Sequence, residues 1–121
     1  KMNIGKRGKS GKDRVGAFVR SKGYRVIKRN YTSRYGEIDI IAEKNEYIVF
    51  VEVKTRKSNS LVSGVAAVDY RKQKRIMLTA NDFIAKTECE LQPRFDVIEI
   101  YAPEGELTKK PKINHLEDAF Q

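Results

Sequence analysis

Three charged residues stand inside two otherwise apolar stretches of this 121-residue sequence. Asp39 interrupts the run IDII, and Glu52 and Lys54 interrupt the run IVFVEVK. Burying a carboxylate without a partner costs several kcal/mol, so a fold that buries one supplies a counter-charge or binds a cation. These residues are therefore the first candidates for a chemical site.

The two stretches are predicted to form a β-hairpin, because β-branched and aromatic residues dominate both. Its strands are predicted at residues 37–42 and 47–54, with a turn at residues 43–46. A turn centred on residues 45–46 places Asp39 directly opposite Glu52, whereas a turn centred on residues 44–45 makes them diagonal neighbours. In both registers the two carboxylates face the same side and lie close together.

Side chains alternate along a strand, so Glu37 shares a face with Asp39, and Lys54 shares one with Glu52. Two adjacent, half-buried carboxylates repel each other unless one is protonated or a cation lies between them. Mg²⁺ binds one or two carboxylates together with water and phosphate oxygens. Lys54 would then position or deprotonate a water molecule, or neutralise charge on a phosphate. The alternative is an internal salt bridge among these four residues with no metal.

The elements that must position these residues follow from periodicity and capping signals. Three consecutive strands predict an antiparallel meander, and a strand that follows a helix predicts a parallel crossover. We therefore expect one α/β domain over residues 1–121, with a mixed central sheet flanked by helices. The other predicted elements are a helix at 11–22 capped by Ser10, a strand at 24–31, a turn at 32–35, a loop at 55–65, a helix to residue 86 capped by Asp69, a strand at 94–101 and an edge strand at 112–116, with residues 1–10 mobile.

The net charge of +9 is concentrated in the N-terminal third of the chain. Residues 1–36 hold twelve lysines and arginines and one acid, whereas residues 37–121 have a net charge of −2. A localised basic surface is typical of proteins that bind a phosphate backbone. The alternative is a solvated surface that only aids solubility. The candidate nucleic-acid contacts are Arg14, Arg29, Arg34, Arg56, Lys57, Lys72 and Lys74.

Other compositional features narrow the class of protein. No apolar run approaches the length of a membrane helix, and no apolar stretch follows the basic N-terminus as in a signal peptide. No strongly amphipathic basic helix indicates membrane binding. The single cysteine, Cys89, is predicted to be a free thiol. We therefore expect a cytoplasmic protein.

The pattern of Asp39, then twelve residues, then Glu52-Val53-Lys54 resembles the D…E-x-K motif of restriction-endonuclease-like nucleases. The likeness extends along the chain to the YraN-type family, small uncharacterised bacterial proteins similar to archaeal Holliday junction resolvases. The residues that carry this resemblance are Gly11, Gly23, Tyr24, Arg29, Asn30, the block GEID at 36–39, the block FVEVKTR at 50–56, Lys72, the block RFD at 94–96 and residues 119–120.

The resemblance implies a restriction-endonuclease-like core and a nuclease that depends on Mg²⁺ or Mn²⁺. It implies that Asp39, Glu52 and the Val53 carbonyl bind the metal, that Lys54 is the catalytic lysine and that Glu37 is an accessory acid. The substrate would be DNA, with branched and single-stranded forms considered, and cutting a four-way junction would need a symmetric homodimer. The alternative is a nucleic-acid-binding protein whose nuclease site is degenerate.

One position departs from the family pattern. Related proteins carry an acid directly after the glycine that begins the first helix, whereas here Gly11 is followed by Lys12 and the nearest acid is Asp13. One helical position is a rotation of about 100°, so Asp13 is not expected to replace that acid. A lysine here is expected to weaken metal binding.

Several other polar residues are expected to be structural. Asp96 is predicted to form a buried pair with Arg94 or a helix lysine rather than to enter the site. His115, the one histidine, is expected to be structural or exposed rather than a ligand. Tyr24, Tyr31, Tyr35 and Tyr70 are interleaved with basic residues, and packing against the core is favoured over base stacking for them.

Overall fold

The computed structural model describes residues 10–57 and 68–121 of the chain. The described residues form two α-helices, five β-strands and one short 3₁₀ turn at Gly105–Leu107. In chain order the helices and strands are α1 (Gly11–Ser21), β1 (Arg25–Ser33), β2 (Gly36–Lys44), β3 (Tyr47–Arg56), α2 (Tyr70–Thr87), β4 (Gln92–Tyr101) and β5 (Lys112–Phe120).

The five strands form one mixed sheet in the order β1-β2-β3-β4-β5. Three neighbouring pairs are antiparallel, and β3 pairs with β4 in parallel after the crossover through α2. The predicted antiparallel meander followed by a parallel strand is therefore confirmed. This mixed α/β architecture is consistent with the restriction-endonuclease-like core that the resemblance implied.

Each face of the sheet is covered by one helix. On one face Val15 and Val19 of α1 pack with Ile40, Val51 and other residues of the sheet. On the other face Ile76, Ala80 and Phe83 of α2 pack with a second set that includes Phe50. Because both faces are covered, β2 and β3 are apolar on both sides, as their sequences predicted.

The two helices begin with the predicted caps. The Ser10 hydroxyl accepts a hydrogen bond from the Asp13 N–H at 3.1 Å, and the Asp69 carboxylate accepts one from the Lys72 N–H at 2.8 Å. The start of α1 lies against β3, because a Cβ built on Gly11 would be 2.5 Å from the Thr55 hydroxyl oxygen. Glycine at this position therefore lets the first turn of α1 approach the strand that carries Glu52.

Several strands are longer than predicted. The strand β1 continues to Ser33, which pairs with Gly36, so the turn comprises residues 34–35 only. The strand β3 continues to Arg56 because its last residues pair with β4. The strand β5 continues to Phe120, whose buried ring stacks on Phe95 at 5.3 Å. The predicted mobility of residues 1–10 and most of the predicted loop at 55–65 fall outside the described residues.

A buried polar cluster joins β4 to β5. The Asp96 carboxylate, which is fully buried, accepts two hydrogen bonds from Arg94 at 2.9 and 2.8 Å and is 2.7 Å from the His115 ring. Burial by itself raises the pKa of Asp96, but the hydrogen bonds from His115 and Arg94 outweigh it and leave the pKa below its usual value. The predicted pair of Asp96 with Arg94 is confirmed, and the His115 ring belongs to the same cluster.

No helix among residues 10–57 and 68–121 is long and apolar enough to cross a membrane. Cys89, which is partly buried, is a free cysteine as the sequence predicted.

Candidate active site

Asp39 lies at the point where β2 and β3 stop pairing through their backbones. The ladder ends with Ile40 opposite Val51, a register that corresponds to the turn at residues 45–46 and puts Asp39 opposite Glu52. One carboxylate oxygen of Asp39 accepts a hydrogen bond from the Val53 N–H at 2.8 Å. The Asp39 side chain thereby continues the pairing in place of the backbone and is held in a fixed position.

The strand changes face at Asp39. Strict alternation would put Ile38 and Ile40 on the same side of the sheet, but Ile38 belongs to the core under α2 and Ile40 to the core under α1. Glu37 is exposed whereas Asp39 and Glu52 are buried, and among the described residues no three acidic side chains are grouped closely enough to hold a metal ion. The structure therefore does not bring Glu37, the predicted accessory acid, into the carboxylate cluster.

Glu52 is the second carboxylate of the site and is only 5% exposed. Its Oε2 atom is 2.9 Å from the Lys72 Nζ atom and 3.4 Å from the Lys54 Nζ atom. Burial raises the pKa of Glu52 above its usual value, and the nearby Asp39 carboxylate adds to this effect, while Lys72 and Lys54 oppose it. Two acids and two lysines thus converge at the C-terminal end of β3.

The first turn of α1 directs Lys12, not Asp13, at the site. The Lys12 ammonium is 3.1 Å from the second Asp39 oxygen and donates a hydrogen bond to the Asn30 side-chain oxygen at 2.7 Å. Asp13 points elsewhere, and its carboxylate pairs with Arg29 at 2.7 Å. The position at which related proteins were expected to carry an acid therefore places a lysine ammonium beside Asp39 here.

The donor set suits a hard divalent cation in part. Asp39 and Glu52 are two buried carboxylates of the kind that Mg²⁺ takes, with water and phosphate oxygens filling the other positions. Among residues 10–57 and 68–121, no group of three or more His, Cys, Asp or Glu side chains is placed to hold a metal ion. A cation that binds the Asp39 Oδ1 and Glu52 Oε2 atoms would displace lysine ammonium groups, because each of these two oxygens already has one as a partner.

Most of the predicted phosphate-binding residues have partners within the protein. Arg14 donates to the backbone carbonyls of Glu106 and Thr108. Arg56 pairs with Glu99 at 3.2 Å, and Arg34 donates to the Tyr35 hydroxyl at 2.8 Å. These contacts hold the three arginine side chains against the protein.

Two of the predicted phosphate-binding lysines are more exposed. Lys57 is exposed and lines a cleft of about 350 Å³ beside Gly11 and Thr55, next to the start of α1. Lys74 is exposed on α2, with its ammonium 5.1 Å from the centre of the Tyr70 ring. Their side chains therefore remain accessible to a phosphate backbone.

The structure also identifies contacts that the sequence did not predict. Lys72 was expected only as a phosphate contact, yet it is the nearer of the two lysine partners of Glu52. Asn30 had no predicted role, although it fixes the Lys12 ammonium next to Asp39. Asn30 has a positive φ of 53°, an uncommon conformation for a residue other than glycine. The one feature of the sequence that could have indicated this backbone conformation is the asparagine itself, which tolerates a positive φ better than most residues.

Comparison with known proteins places the chain in a family. The model of UPF0102, described as an uncharacterised protein family, matches residues 11–100. A UPF0102 protein of Alkaliphilus oremlandii is 45% identical over 106 residues, which are 85% of this chain and 87% of that protein. A UPF0102 protein of Caldanaerobacter subterraneus subsp. tengcongensis is 40% identical over 121 residues, which are 99% of this chain and 98% of that protein. The matched range contains both carboxylates and all three lysines of the site, and the chain belongs to the UPF0102, or YraN-type, family.

Proposed function

We propose that this protein is a divalent-cation-dependent endonuclease that hydrolyses phosphodiester bonds in DNA. The observation that carries the proposal is the buried pair Asp39 and Glu52, which lies at the end of β3 with lysines from β3 and from both helices around it. Two buried acids destabilise a fold unless a cation accompanies them. A phosphate that approaches this cluster meets several positive charges at once.

The residues divide the work according to their positions. Asp39 and Glu52 would hold Mg²⁺ or Mn²⁺, with the Val53 carbonyl as the third protein ligand that the resemblance implies. When bound, the cation would neutralise charge at the phosphate and would make a water bound to it more acidic. Lys54, on the same strand as Glu52, would orient the attacking water and stabilise charge on the phosphate oxygens.

The reaction breaks one bond and forms one bond at phosphorus. The water oxygen bonds to phosphorus, the bond from phosphorus to one ester oxygen breaks, and that oxygen leaves with a proton derived from the water. Lys72 would be freed from Glu52 when a metal binds and would then contact a phosphate of the same strand. Lys72 can leave Glu52 only if its side chain has access to solvent, and this side chain is 40% exposed.

A second candidate function rests on the contact between Lys12 and Asp39. The Lys12 ammonium occupies one oxygen of Asp39, so the protein would bind nucleic acid through its lysines while holding metal too weakly to cut. In this case the carboxylates serve to organise the lysines. The two functions differ in whether a divalent cation produces cleavage.

The test is incubation of the purified protein with end-labelled single-stranded, duplex and four-way-junction DNA in Mg²⁺, Mn²⁺ or EDTA. We expect cleavage only with the metals, and Lys54→Ala to lower the rate by about 100-fold or more. Lys109→Ala, at an exposed lysine far along the chain, is the matched control and should cleave normally. Salt-dependent binding without cleavage would favour the second candidate, and cleavage that survives Lys54→Ala would exclude the proposed role of that lysine.

A further inference from the structure

The outer face of α2 combines apolar and basic side chains. Tyr70 is 69% exposed and Leu78 is 44% exposed, and they are two of the three large apolar side chains that the described residues expose, with Leu107 as the third. Arg71 and Lys74 are exposed on the same helix. At about 100° per residue, these four α2 side chains fall within an arc of about 100° that faces away from the sheet. We call these four residues the α2 outer face.

Tyr70 differs from the other tyrosines in its surroundings. Tyr24 is buried and accepts a hydrogen bond from Arg94, and Tyr31 donates to Asp82 at 2.5 Å, so packing is confirmed for both. All six tyrosines lie in the described residues, and Tyr70 is the one that is exposed rather than buried or half-buried. Its ring has the Lys74 ammonium over it, 5.1 Å from the ring centre, which restrains the ring without burying it.

The charges around Tyr70 suit a polyanion. The first turn of α2 contains no acid, and exposed Arg71 and Lys74 lie beside the ring. Lys72 in the same turn reaches Glu52 of the candidate site at 2.9 Å. Side chains lean toward the N-terminus of their helix, so Tyr70 leans toward the end of α2 at which Lys72 meets Glu52. Tyr70 and Lys72 are about 200° apart around the helix, so Tyr70 would meet a neighbouring nucleotide, not the one that is cut.

We propose that the α2 outer face binds single-stranded DNA, with an unpaired base stacked on Tyr70 and the flanking phosphates on Arg71 and Lys74. The proposal rests on the proposed function, because it extends the same site to a class of substrate that has unpaired bases. A base inside a duplex is covered by its neighbours and offers no free face to the ring. An acidic peptide would match the charges but has no planar group that requires an aromatic ring.

The test measures binding and does not need cleavage. Fluorescence anisotropy compares a labelled single-stranded oligonucleotide, its duplex and a labelled polyglutamate peptide, all in EDTA at low salt. We expect Tyr70→Ala to weaken single-strand binding by about 5-fold to 150-fold, the range for one base on an aromatic ring, and duplex binding by less than about twofold. Tyr70→Phe should bind like the wild type. Leu107→Ala, which removes an exposed apolar side chain elsewhere, should change nothing.

A second measurement tests the stacked base itself. Replacing one nucleotide at a time by an abasic site should weaken wild-type binding at one position, and Tyr70→Ala should abolish that position dependence. The proposal is wrong if Tyr70→Ala leaves single-strand binding unchanged, if it weakens single-strand and duplex binding equally, or if the wild type binds no DNA or prefers polyglutamate. Metal-dependent cleavage that persists in Tyr70→Ala with unchanged single-strand binding would overturn this inference alone. Tyr70-dependent binding without any cleavage would overturn the proposed function alone.

Discussion

Replacing Lys12 by methionine is expected to raise the affinity of the site for a divalent cation. Methionine keeps much of the length of the side chain and removes the ammonium that lies 3.1 Å from Asp39. In the wild type this ammonium would compete with the proposed metal for one carboxylate oxygen and would also repel it. Both effects disappear in Lys12→Met, so the change in affinity has a definite sign.

The magnitude follows from the distance and the exposure. Two unit charges about 3 Å apart attract each other by about 5 kcal/mol at an effective dielectric constant of about 20. The Lys12 side chain is 33% exposed, so solvent screening and the cost of desolvation remove most of this energy. A net contribution of about 1 to 2 kcal/mol remains, which corresponds to an increase in metal affinity of about 5-fold to 30-fold.

Isothermal titration with Mn²⁺ measures this affinity without any DNA. Lys28→Met is the matched control, because Lys28 is an exposed lysine of β1. The Mn²⁺ dissociation constant of this variant should equal that of the wild type. Lys12→Glu should bind Mn²⁺ more tightly than Lys12→Met, because it adds a third carboxylate. An unchanged or weaker affinity in Lys12→Met, with an unchanged melting temperature, would refute the view that Lys12 competes with the metal.

Three further predictions concern stability, helix position and pH. Asp96→Asn should lower the free energy of unfolding by about 3–5 kcal/mol at pH 7 in urea titrations, because it removes the buried carboxylate that pairs with the Arg94 guanidinium at 2.8 Å, whereas the other acid near Arg94, Glu117, is 3.7 Å away. The pKa of Asp96 is lowered in the folded protein, so the stabilisation from its charge is complete above the unfolded pKa of 3.8 and disappears as the pH falls through the folded pKa. At low pH the unfolding free energies of the wild type and Asp96→Asn should therefore converge. Gly11→Ala should cost about 1–3 kcal/mol through its clash with Thr55, and Thr55→Ala in the same chain should restore the melting temperature. A metal ligand must be deprotonated, and burial raises the pKa of Glu52, so Mn²⁺ affinity should fall with decreasing pH around a midpoint above 4.5, and Lys72→Met should move that midpoint higher.

The outcomes that contradict these three predictions are equally specific. A pH-independent difference between wild type and Asp96→Asn would show that the carboxylate charge does not stabilise the fold. If Thr55→Ala fails to restore the melting temperature of Gly11→Ala, the destabilisation by the extra methyl group does not come from a clash with Thr55. A midpoint for Mn²⁺ binding that does not move in Lys72→Met would show that Lys72 does not control the ionisation of Glu52.

The fold was largely predictable because its signals are local. β-Branched residues mark β2 and β3 as buried strands, and Ser10 and Asp69 mark the starts of both helices. The parallel pairing of β3 with β4 follows from the helix that lies between them in the chain. Strand ends were less predictable, because the end of β5 depends on its pairing with β4, in which Phe120 lies opposite Phe95 and stacks on it.

The two acids of the site, Asp39 and Glu52, were predictable from the sequence, but the side chains that surround them were not. Alternation of side chains put Glu37 beside Asp39, whereas in the structure Asp39 is buried and bonded to the Val53 N–H and Glu37 is exposed. The ammonium groups of Lys12 and Lys72 come from helices distant in sequence, and a long flexible side chain has no preferred direction that a pattern of residues reveals. As helix geometry predicted, Asp13 does not reach the site, and Lys12 meets Asp39 instead.

The most direct test of the account is the rate of DNA cleavage at saturating Mn²⁺ when each buried acid loses its charge. We expect Asp39→Asn and Glu52→Gln each to cleave at least about 100-fold more slowly than the wild type, while Glu104→Gln, at an exposed acid, should keep the wild-type rate. Cleavage by either buried-acid variant at the rate of the wild type would contradict a catalytic centre at Asp39 and Glu52.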